Sequence, residues 1–400
     1  MTKQAYLTQG GRVIYAEPKE AEKYLSTGGY KLASSDDILW DNVRKGRVPN
    51  DFHKVHFPFW DNANPIFGYG TVAYNLIKHA YKNKIALQTS AYQGQKVALI
   101  YKTIANHYKG DKTQSFLKQY YESFTDANRP KIIIYSMWET TRLPEIQAEY
   151  LEKYADVVVV PSNWLIEVLR NAGVTKPIEV MAHGTDEEFE YQDRPDPEVF
   201  QFLHYNAGEL RKGYKETIKA FVEEFKKGEK VKLVLKTTNR SADLWEELNK
   251  YKDKIQCEIE VVGKIGTKQD LNKLLGESNC FVFPSKGEGF GLTPLEAIKT
   301  GLPVIITKGH AFEDFWNDAC LPVKYKLEPA EYGDVYYRDP TDMGKWFQPD
   351  IKELRKQMRY AFENWQAIKK AGKKGSQYIS KHFTWDKVTQ DLNKIINKYV

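Results

Sequence analysis

Short, almost wholly apolar runs alternate with amphipathic stretches along most of the chain. These runs begin at Lys54, Lys84, Lys96, Lys131, Asp156 and Pro177, and then at Phe200, Val231, Ile255, Cys280 and Leu302. Amphipathic stretches separate several of them, for instance over 144–154 and 163–171. A strand buried on both faces needs apolar residues at every position, so the runs predict buried strands. Strands that alternate with helices predict a parallel α/β architecture.

A polar, proline-bearing stretch, "TDEEFEYQDRPDPEVF" (185–200), interrupts the series and predicts an interdomain linker. Four hundred residues exceed one ordinary core, so two domains are expected. We predict an N-terminal α/β domain over 51–190 and a C-terminal one over 191–383. The stretch 384–400 predicts an amphipathic helix with a threonine cap.

Residues 1–50 fit neither predicted sheet. The segment "RVIYAEPKEAEKYLSTGGYKL" predicts a strand, a short helix over Pro18–Leu25 and a turn at Gly28 and Gly29. We expect a small appended element, and its residues do not indicate a role.

Composition narrows the class of protein. Hydrophobic residues make up 42% and charged residues 28%, as in soluble globular proteins. No apolar run approaches the roughly 20 residues of a membrane span, and the N-terminus lacks the apolar region of a secretory signal. Cys257, Cys280 and Cys320 lack metal-ligand spacing and are expected to be free thiols. Together these features predict a cytoplasmic protein. The net charge of +6 needs no nucleic-acid partner, because no dense Lys/Arg run is present.

The segment "GEGFGLTPLEAIKTGLPVI", which begins at Gly287, has the composition of a strand-to-helix loop. The preceding strand ends near Ser285, and a helix is expected from Thr293, as cap, to Gly301, as stop. The start of such a helix attracts phosphate through its dipole and its unpaired N–H groups. Glu288 in the loop and Glu296 in the first turn could bind sugar hydroxyls. Alternatively, Glu296 only complements the helix dipole and Glu288 is solvated.

Two further loops that follow predicted strands carry residues suited to ligands. In "NAGELRKGYKETIKAF", Arg211 and Lys212 could bind a diphosphate, or they could be ordinary surface cations. In "DNANPIFGYGTVAYNLI", Gly68 and Gly70 would let the backbone approach a ligand closely.

Glu139 in "IYSMWETTR" lies at the end of the fourth predicted strand, where ligands of parallel sheets bind. It could act as a base, bind a sugar hydroxyl or accept a hydrogen bond from Arg142.

The pattern Glu-x7-Glu within "EGFGLTPLEAIKTGLPVI" resembles the signature of retaining glycosyltransferases of the GT-B fold, family four. Five other segments resemble that family in the same order: "ETTRLPEI", "ADVVVVPSNWLIEVLRNAGV", "HGTD", "RKGYKETIKAF" and "GKWFQPD". The resemblance runs from about Val55 to the C-terminus. It implies two Rossmann-like domains facing a cleft, with the C-terminal helix (384–400) packed back on the N-terminal domain and residues 1–50 as a short extension.

The resemblance also implies roles for residues. Glu288 would bind the hydroxyls of the donor sugar, Glu296 the ribose, and Lys212 with Arg211 the diphosphate. The backbone of the signature loop would meet the diphosphate through Gly289, Phe290, Gly291, Leu292 and Thr293. Groups around Lys264 and Ile265 would read the nucleotide base, and the loop with Gly68 and Gly70 would lie against the donor phosphate or the acceptor.

Three features bear on how far these roles carry over. Glu209 follows Gly208 where the family more often has an arginine, so one phosphate-binding arginine is displaced or absent. Trp138 and Glu139 stand where many relatives carry a histidine, which puts any histidine-based catalysis in doubt. His183 is expected to make a structural hydrogen bond. The chain has no Asp-x-Asp pair, in keeping with chemistry that needs no metal and no cofactor.

The expected function is transfer of a hexose-type sugar, with retention, from a nucleotide diphosphate donor to an acceptor hydroxyl. UDP is the favoured nucleotide and GDP the alternative. The acceptor stays open among a glycan, a lipid, a protein, a small molecule and a hydroxymethylated base of phage DNA. An inactive nucleotide-sugar-binding module is a different class of function. A dinucleotide oxidoreductase is disfavoured, because "GYGTVA" lacks the third glycine of the fingerprint.

Overall fold

The computed structural model describes fifteen stretches of the chain, namely residues 4–8, 13–16, 30–33, 38, 41, 45, 47–58, 68–88, 94–101, 112–206, 209–237, 241–263, 265, 267–331 and 343–400. The chain divides into two compact units. The first comprises Met1–Tyr101, Arg129–Ile133 and Thr389–Val400, and the second comprises Lys102–Asn128 and Ile134–Val388. The predicted domain boundaries near residues 50, 190 and 383 stay predictions.

The N-terminal segment contains a three-stranded antiparallel sheet of order β2-β1-β3. Its strands are β1 (Gln4–Thr8), β2 (Val13–Ala16) and β3 (Tyr30–Leu32). Strand β2 confirms the strand predicted in "RVIYA". The predicted helix over Pro18–Leu25 and the predicted turn at Gly28 and Gly29 lie outside the described residues.

The six apolar runs of the first half form one six-stranded sheet of order β5-β4-β6-β7-β8-β9. Its strands are β4 (His53–His56), β5 (Ile85–Gln88), β6 (Val97–Tyr101), β7 (Lys131–Tyr135), β8 (Val157–Val160) and β9 (Ile178–Val180). The helices of this half are α1 (Gly68–Ala80), α2 (Lys112–Glu122), α3 (Glu145–Tyr154) and α4 (Trp164–Asn171). Helices α3 and α4 confirm the two amphipathic stretches predicted here.

The second half forms a six-stranded parallel sheet of order β12-β11-β10-β13-β14-β15. Its strands are β10 (Phe200–Asn206), β11 (Val231–Thr237), β12 (Glu258–Val262), β13 (Cys280–Phe283), β14 (Val304–Thr307) and β15 (Cys320–Val323). A separate antiparallel pair consists of β16 (Tyr325–Pro329) and β17 (Lys345–Pro349). All five runs predicted for this half are strands, whereas β15, β16 and β17 were not predicted.

Seven helices are described in the second half. They are α5 (Tyr214–Glu224), α6 (Ser241–Lys250), α7 (Lys268–Glu277), α8 (Leu292–Lys299), α9 (Ile351–Glu363), α10 (Trp365–His382) and α11 (Trp385–Tyr399). The amide of Lys387 donates to Thr384 Oγ1 at 3.2 Å, which confirms Thr384 as the cap of α11. Within the first unit, the Asn83 side chain donates to Thr389 Oγ1 at 2.8 Å.

Both faces of the second sheet are buried. On β10, Phe202 belongs to the core beneath α5 and α9, whereas Leu203 belongs to the core beneath α7 and α8. Successive residues of a strand point to opposite faces, so an apolar residue is needed at nearly every position. Cys280 on β13 and Cys320 on β15 are buried free thiols. The free thiol of Cys257 is partly buried.

The predicted linker (185–200) is irregular, as expected, but it is packed rather than loose. Its Arg194 side chain is buried and donates hydrogen bonds to the carbonyl oxygens of Leu275, Ser278 and Thr300. These carbonyls lie at the ends of α7 and α8, where backbone acceptors lack helical partners. Arg194 therefore caps two helices at once.

Candidate functional site

The loop between β13 and α8 buries one carboxylate at the carboxyl edge of the sheet. Glu288 is 6% exposed, and Ser285 Oγ donates to its carboxylate at 2.8 Å. A Cβ added at Gly287 would lie 1.8 Å from the carbonyl oxygen of Glu139. Only glycine allows these two loops to approach so closely. Sequence reasoning missed Ser285 as a partner of Glu288.

The loop between β10 and α5 brings two cations to that carboxylate. Arg211 and Lys212 lie in a short 3-10 turn that ends at Gly213, whose φ of +79° favours glycine. The amide of Lys286 donates to the carbonyl of Arg211 at 2.8 Å, which joins this loop to the one after β13. Because β10 and β13 are neighbours in the sheet, residues far apart in sequence meet here.

Glu288 is the centre of an ion cluster. Lys212 Nζ lies 2.7 and 2.9 Å from its two carboxylate oxygens, and Arg211 Nη1 lies 3.1 Å from Oε1. Burial alone would raise the pKa of Glu288, but Lys212 and Arg211 lower it by more. The pKa therefore falls to about 2, and the side chain is a carboxylate at neutral pH.

Two further carboxylates share Arg211. Its Nη2 lies 3.1 Å from Glu209 and 3.6 Å from Glu139, and its Nη1 also donates to the carbonyl of Gly287. Burial raises the pKa of Glu139, and the neighbouring Glu288 and Glu209 raise it further against the opposing effect of Arg211. The ion-pair partner of Glu139 is thus Arg211, and sequence reasoning missed Glu209 as a member of the cluster.

The second glutamate of the signature has different surroundings. Helix α8 begins at Leu292 with Gly291 as its cap, so the prediction of Thr293 as the cap was wrong. Glu296 is therefore the fifth residue of the helix and not part of its first turn. Burial, and then the charge of Asp186, raise the pKa of Glu296 to about 8. No residue in the described stretches donates a hydrogen bond to its carboxyl group.

The glycine cap leaves the start of α8 without a side-chain acceptor. Gly291 makes no side-chain cap hydrogen bond, so the N–H groups at the start of the helix can serve a ligand. Gly289 lies just before this helix start, and Leu292 is the first residue of the helix. The Phe290 side chain is buried instead and packs against His183, with 4.8 Å between ring centroids.

His183 differs from expectation. It is 2% exposed, and neither ring nitrogen has a hydrogen-bond partner in the part of the chain that the structure describes. The expected structural hydrogen bond was therefore wrong. Burial lowers the pKa of His183 to about 3, so the ring is neutral and packs among Tyr135, Phe290 and Trp385.

The remaining predicted ligand residues belong to other elements of the fold. Gly68 and Gly70 open helix α1 in the first unit. Ile265 packs beside the core under α7 and α8, and Lys264 lies outside the described residues. Among described residues, no group of three or more His, Cys, Asp or Glu side chains is placed to hold a metal ion. In those same stretches, every helix is too short or too polar to cross a bilayer.

Residues 186–319 match the family model described as glycosyl transferases group 1. The matched span contains Arg211, Lys212, Glu288 and Glu296.

Several known proteins are similar in sequence to this chain, among them the following two. Uncharacterized protein 356 of Sulfolobus islandicus rod-shaped virus 1 is 21% identical over 284 residues, which cover 65% of this chain and 74% of that protein. The uncharacterized glycosyltransferase MJ1059 of Methanocaldococcus jannaschii is 29% identical over 205 residues, which cover 46% of this chain and 45% of that protein. The chain thus spans less than half the length of the second relative.

Many solved structures have a similar fold, among them two that cover most of this chain. Sucrose-phosphate synthase from Thermosynechococcus elongatus gives a TM-score of 0.61 at 14% identity, over 92% of this chain and 94% of that one. HepE from Anabaena, in complex with UDP and glucose, also gives 0.61 at 14% identity, over 86% of this chain and 100% of that one. With its two six-stranded sheets, the chain has the two-domain α/β GT-B fold that the sequence predicted.

Proposed function

We propose that the protein transfers a hexose-type sugar, with retention of configuration, from a UDP-sugar to an acceptor hydroxyl without a metal ion. The observation that carries the proposal is the buried Glu288 carboxylate, held by Lys212 and Arg211 beside the glycine-capped start of α8. The carboxyl edge of a parallel sheet is where such folds bind ligands.

Each group has a chemical role in this proposal. The ionised Glu288 accepts hydrogen bonds from the donor sugar hydroxyls, and Glu296 accepts them from the ribose. The N–H groups at the start of α8, together with Lys212, bind the diphosphate. Arg211 is predicted to assist there, and it also holds Glu288, Glu209 and Glu139 in place.

The reaction breaks the bond between the anomeric carbon and the diphosphate oxygen, and its electron pair stays with the diphosphate. The acceptor oxygen bonds to the same face of the sugar, and its proton passes to the departing phosphate. Cationic groups fixed in advance around the leaving group stabilise the charge that develops on it. Glu139, which lies 3.6 Å from Arg211, is predicted to lie beside the reacting centre and to bind a sugar hydroxyl.

The comparisons support the donor class. The matched glycosyltransferase group 1 domain contains the whole ion cluster apart from Glu139. HepE, whose fold is similar, has been solved with UDP and glucose. A UDP-hexose is accordingly the first donor to test, with GDP-sugars as the second series.

The test is the release of free nucleoside diphosphate from a panel of UDP- and GDP-sugars. We expect the wild type to hydrolyse or transfer one donor, and Glu288→Gln to lose that activity by about 100-fold or more while remaining folded. Glu260→Gln is the matched control, because Glu260 also pairs with a lysine, Lys232, at 3.1 Å outside the cluster. Near-normal turnover by Glu288→Gln would contradict the proposal. Binding of donors without release would favour the binding module.

The acceptor is the part of the proposal that the cluster does not specify. Acceptor trials should include glycans, lipids, peptides, small alcohols and DNA with hydroxymethylated bases. For DNA, a salt-sensitive gel shift with duplex is the first measurement, and no shift at low salt would remove that alternative.

A further inference from the structure

We propose that Lys236 belongs to the donor site and that its ammonium group binds the α-phosphate of the nucleotide. Lys236 is the penultimate residue of β11, at the carboxyl edge where parallel sheets bind ligands. The inference rests on the proposed function, because it takes the ligand to be a nucleoside diphosphate sugar.

Lys236 is a largely buried lysine that has no counter-charge among the residues that the structure describes. The residue is 4% exposed, and no described residue forms a hydrogen bond or an ion pair with its ammonium group. Its Nζ lies 4.3 Å from the centroid of the Tyr205 ring. A buried charge without a partner is costly, and burial lowers the pKa of Lys236 to about 8.

Other lysines that are largely buried in this half do have partners. Lys212 pairs with Glu288, Lys286 pairs with Glu216 at 2.9 Å, and Lys299 donates to a backbone carbonyl at 2.7 Å. Among the described residues, these lysines therefore all have a partner except Lys236. An anionic ligand at the sheet edge would supply the missing counter-charge.

The sheet register places Lys236 on the same face and at the same end as Lys212. Tyr205 on β10 is the register partner of Lys236, and Leu203 on β10 pairs with Phe281 on β13. Two residues further along, Tyr205 therefore comes level with Phe283. Both rings pack with the core beneath α7 and α8. Lys212 Nζ lies 5.7 Å from the centroid of the Phe283 ring, so the two ammonium groups stand over rings on adjacent strands.

The charge of the ion cluster explains why a further cation is needed. Glu139, Glu209 and Glu288 contribute three negative charges, against two positive charges from Arg211 and Lys212. The formal sum is −1 when all are ionised, so the cluster has no net positive charge with which to neutralise a diphosphate. Lys236 and the start of α8 supply positive potential that these carboxylates do not cancel.

The order of the strands indicates which phosphate of the donor Lys236 would bind. Glu288 follows β13 and would hold the sugar, whereas Lys236 lies on β11, on the far side of β10 from β13. We take the sugar of the donor to lie at β13 and its nucleoside to extend towards β12. The α-phosphate of such a donor is then closer to Lys236 than the sugar is. An ammonium group is a compact, strongly hydrated charge, so an anion offsets its burial better than a neutral base carbonyl does.

The test compares Lys236→Met with the wild type by isothermal titration against UDP, UMP and uridine. GDP, GMP and guanosine replace them if the wild type prefers guanine nucleotides. Methionine keeps the length of the side chain and removes its charge. We expect the Kd for the diphosphate and the monophosphate to rise about tenfold to a hundredfold, as loss of a charged hydrogen bond implies, with the nucleoside Kd unchanged.

Two variants serve as controls. Lys236→Arg keeps the charge and should bind UDP within a few-fold of the wild type. Lys232→Met removes a lysine from the same strand that pairs with Glu260, and it should leave the Kd for UDP unchanged.

The outcomes separate the two proposals. Unchanged UDP affinity in Lys236→Met would overturn the inference and leave the proposed function standing. An equal loss of uridine and UDP affinity would assign Lys236 to the nucleoside and overturn the phosphate assignment. Lack of nucleotide binding by the wild type would contradict the proposed function, and the inference with it. If Lys236→Met does not fold, Lys236→Gln replaces it as the variant without the charge, and unchanged UDP affinity in Lys236→Gln would overturn the inference.

Discussion

Replacing Arg211 by methionine would leave the carboxylates of Glu139, Glu209 and Glu288 with Lys212 as the only cation of the cluster. The Arg211 side chain is 10% exposed and lies 3.1 Å from the Glu288 carboxylate. It also donates to the carbonyl of Gly287. The substitution therefore removes one partner of a buried ion pair and leaves the other in place.

The size of the destabilisation expected for Arg211→Met follows from the burial of this ion pair. Removal of one partner of a buried ion pair costs about 3–5 kcal/mol, because the remaining charge stays desolvated. The contact with Glu209 adds little, since that side chain is 39% exposed and water screens it. We expect Arg211→Met to lower the free energy of unfolding at pH 7 by about 3–5 kcal/mol, which is a large share of the stability of a typical domain.

The loss of unfolding free energy caused by Arg211→Met should depend on pH. In the wild type, the pKa of Glu288 is lowered from 4.5 to about 2, so its contribution is fully present above about pH 4.5 and is lost as the pH falls towards 2. In the variant, the pKa of Glu139, already raised, rises further because its cationic neighbour is gone. A raised carboxyl pKa means that the folded state takes up a proton, so the variant gains stability as the pH falls. The deficit should be largest at pH 8 and smaller at pH 5.

Urea unfolding followed by tryptophan fluorescence at pH 8, 7, 6 and 5 measures the deficit. Arg355→Met is the matched control, since Arg355 is 36% exposed and pairs with Glu223 and Glu224 at the surface. It should cost less than about 1 kcal/mol at every pH. A deficit of Arg211→Met that is equal at pH 8 and pH 5 would refute the electrostatic argument and indicate lost packing.

Two further substitutions test the scaffold of the site. Arg194→Met should lower Tm and lower the free energy of unfolding by about 3 kcal/mol or more, because three buried carbonyl acceptors lose their donor. A Tm equal to that of Arg170→Met, which removes an exposed arginine, would contradict this prediction. Gly287→Ala should keep the circular dichroism spectrum but weaken UDP binding about tenfold or more, because its Cβ would meet the Glu139 carbonyl at 1.8 Å. Gly228→Ala, in the turn before β11 and with no described atom within 4 Å of the added Cβ, is the control, and equal UDP affinity in the two variants would contradict the reasoning.

The sequence predicted the strands of both parallel sheets because burial on two faces leaves a strong signal. Each of the eleven apolar runs contains one strand, since solvent contributes no polar positions to such a strand. Strand β16 gives no such signal, because all five of its residues are exposed and it is held by pairing with β17. Strand β15 contains Pro322 and is an edge of its sheet, which also weakens its pattern.

The candidate site was predictable in part for a topological reason. Arg211, Lys212 and Glu288 each follow a strand of one parallel sheet, so the sequence could place them at a common edge. It could not show that the cations lie against Glu288, since that depends on the close approach of the loops at Gly287 and Gly213. Lys236 was missed for the same reason, because the surroundings of a lysine within a strand are visible only in three dimensions.

The two glutamates of the signature illustrate where prediction from a motif ends. Eight positions separate Glu288 from Glu296, and both are carboxylic acids near one helix start. Their pKa values nevertheless move in opposite directions, to about 2 and about 8. Lys212, 76 positions from Glu288, makes the ion pair that lowers the first, whereas burial near Asp186 raises the second. A motif therefore specifies which chemical groups are present, and the neighbours that the sheet order brings to them determine their charge.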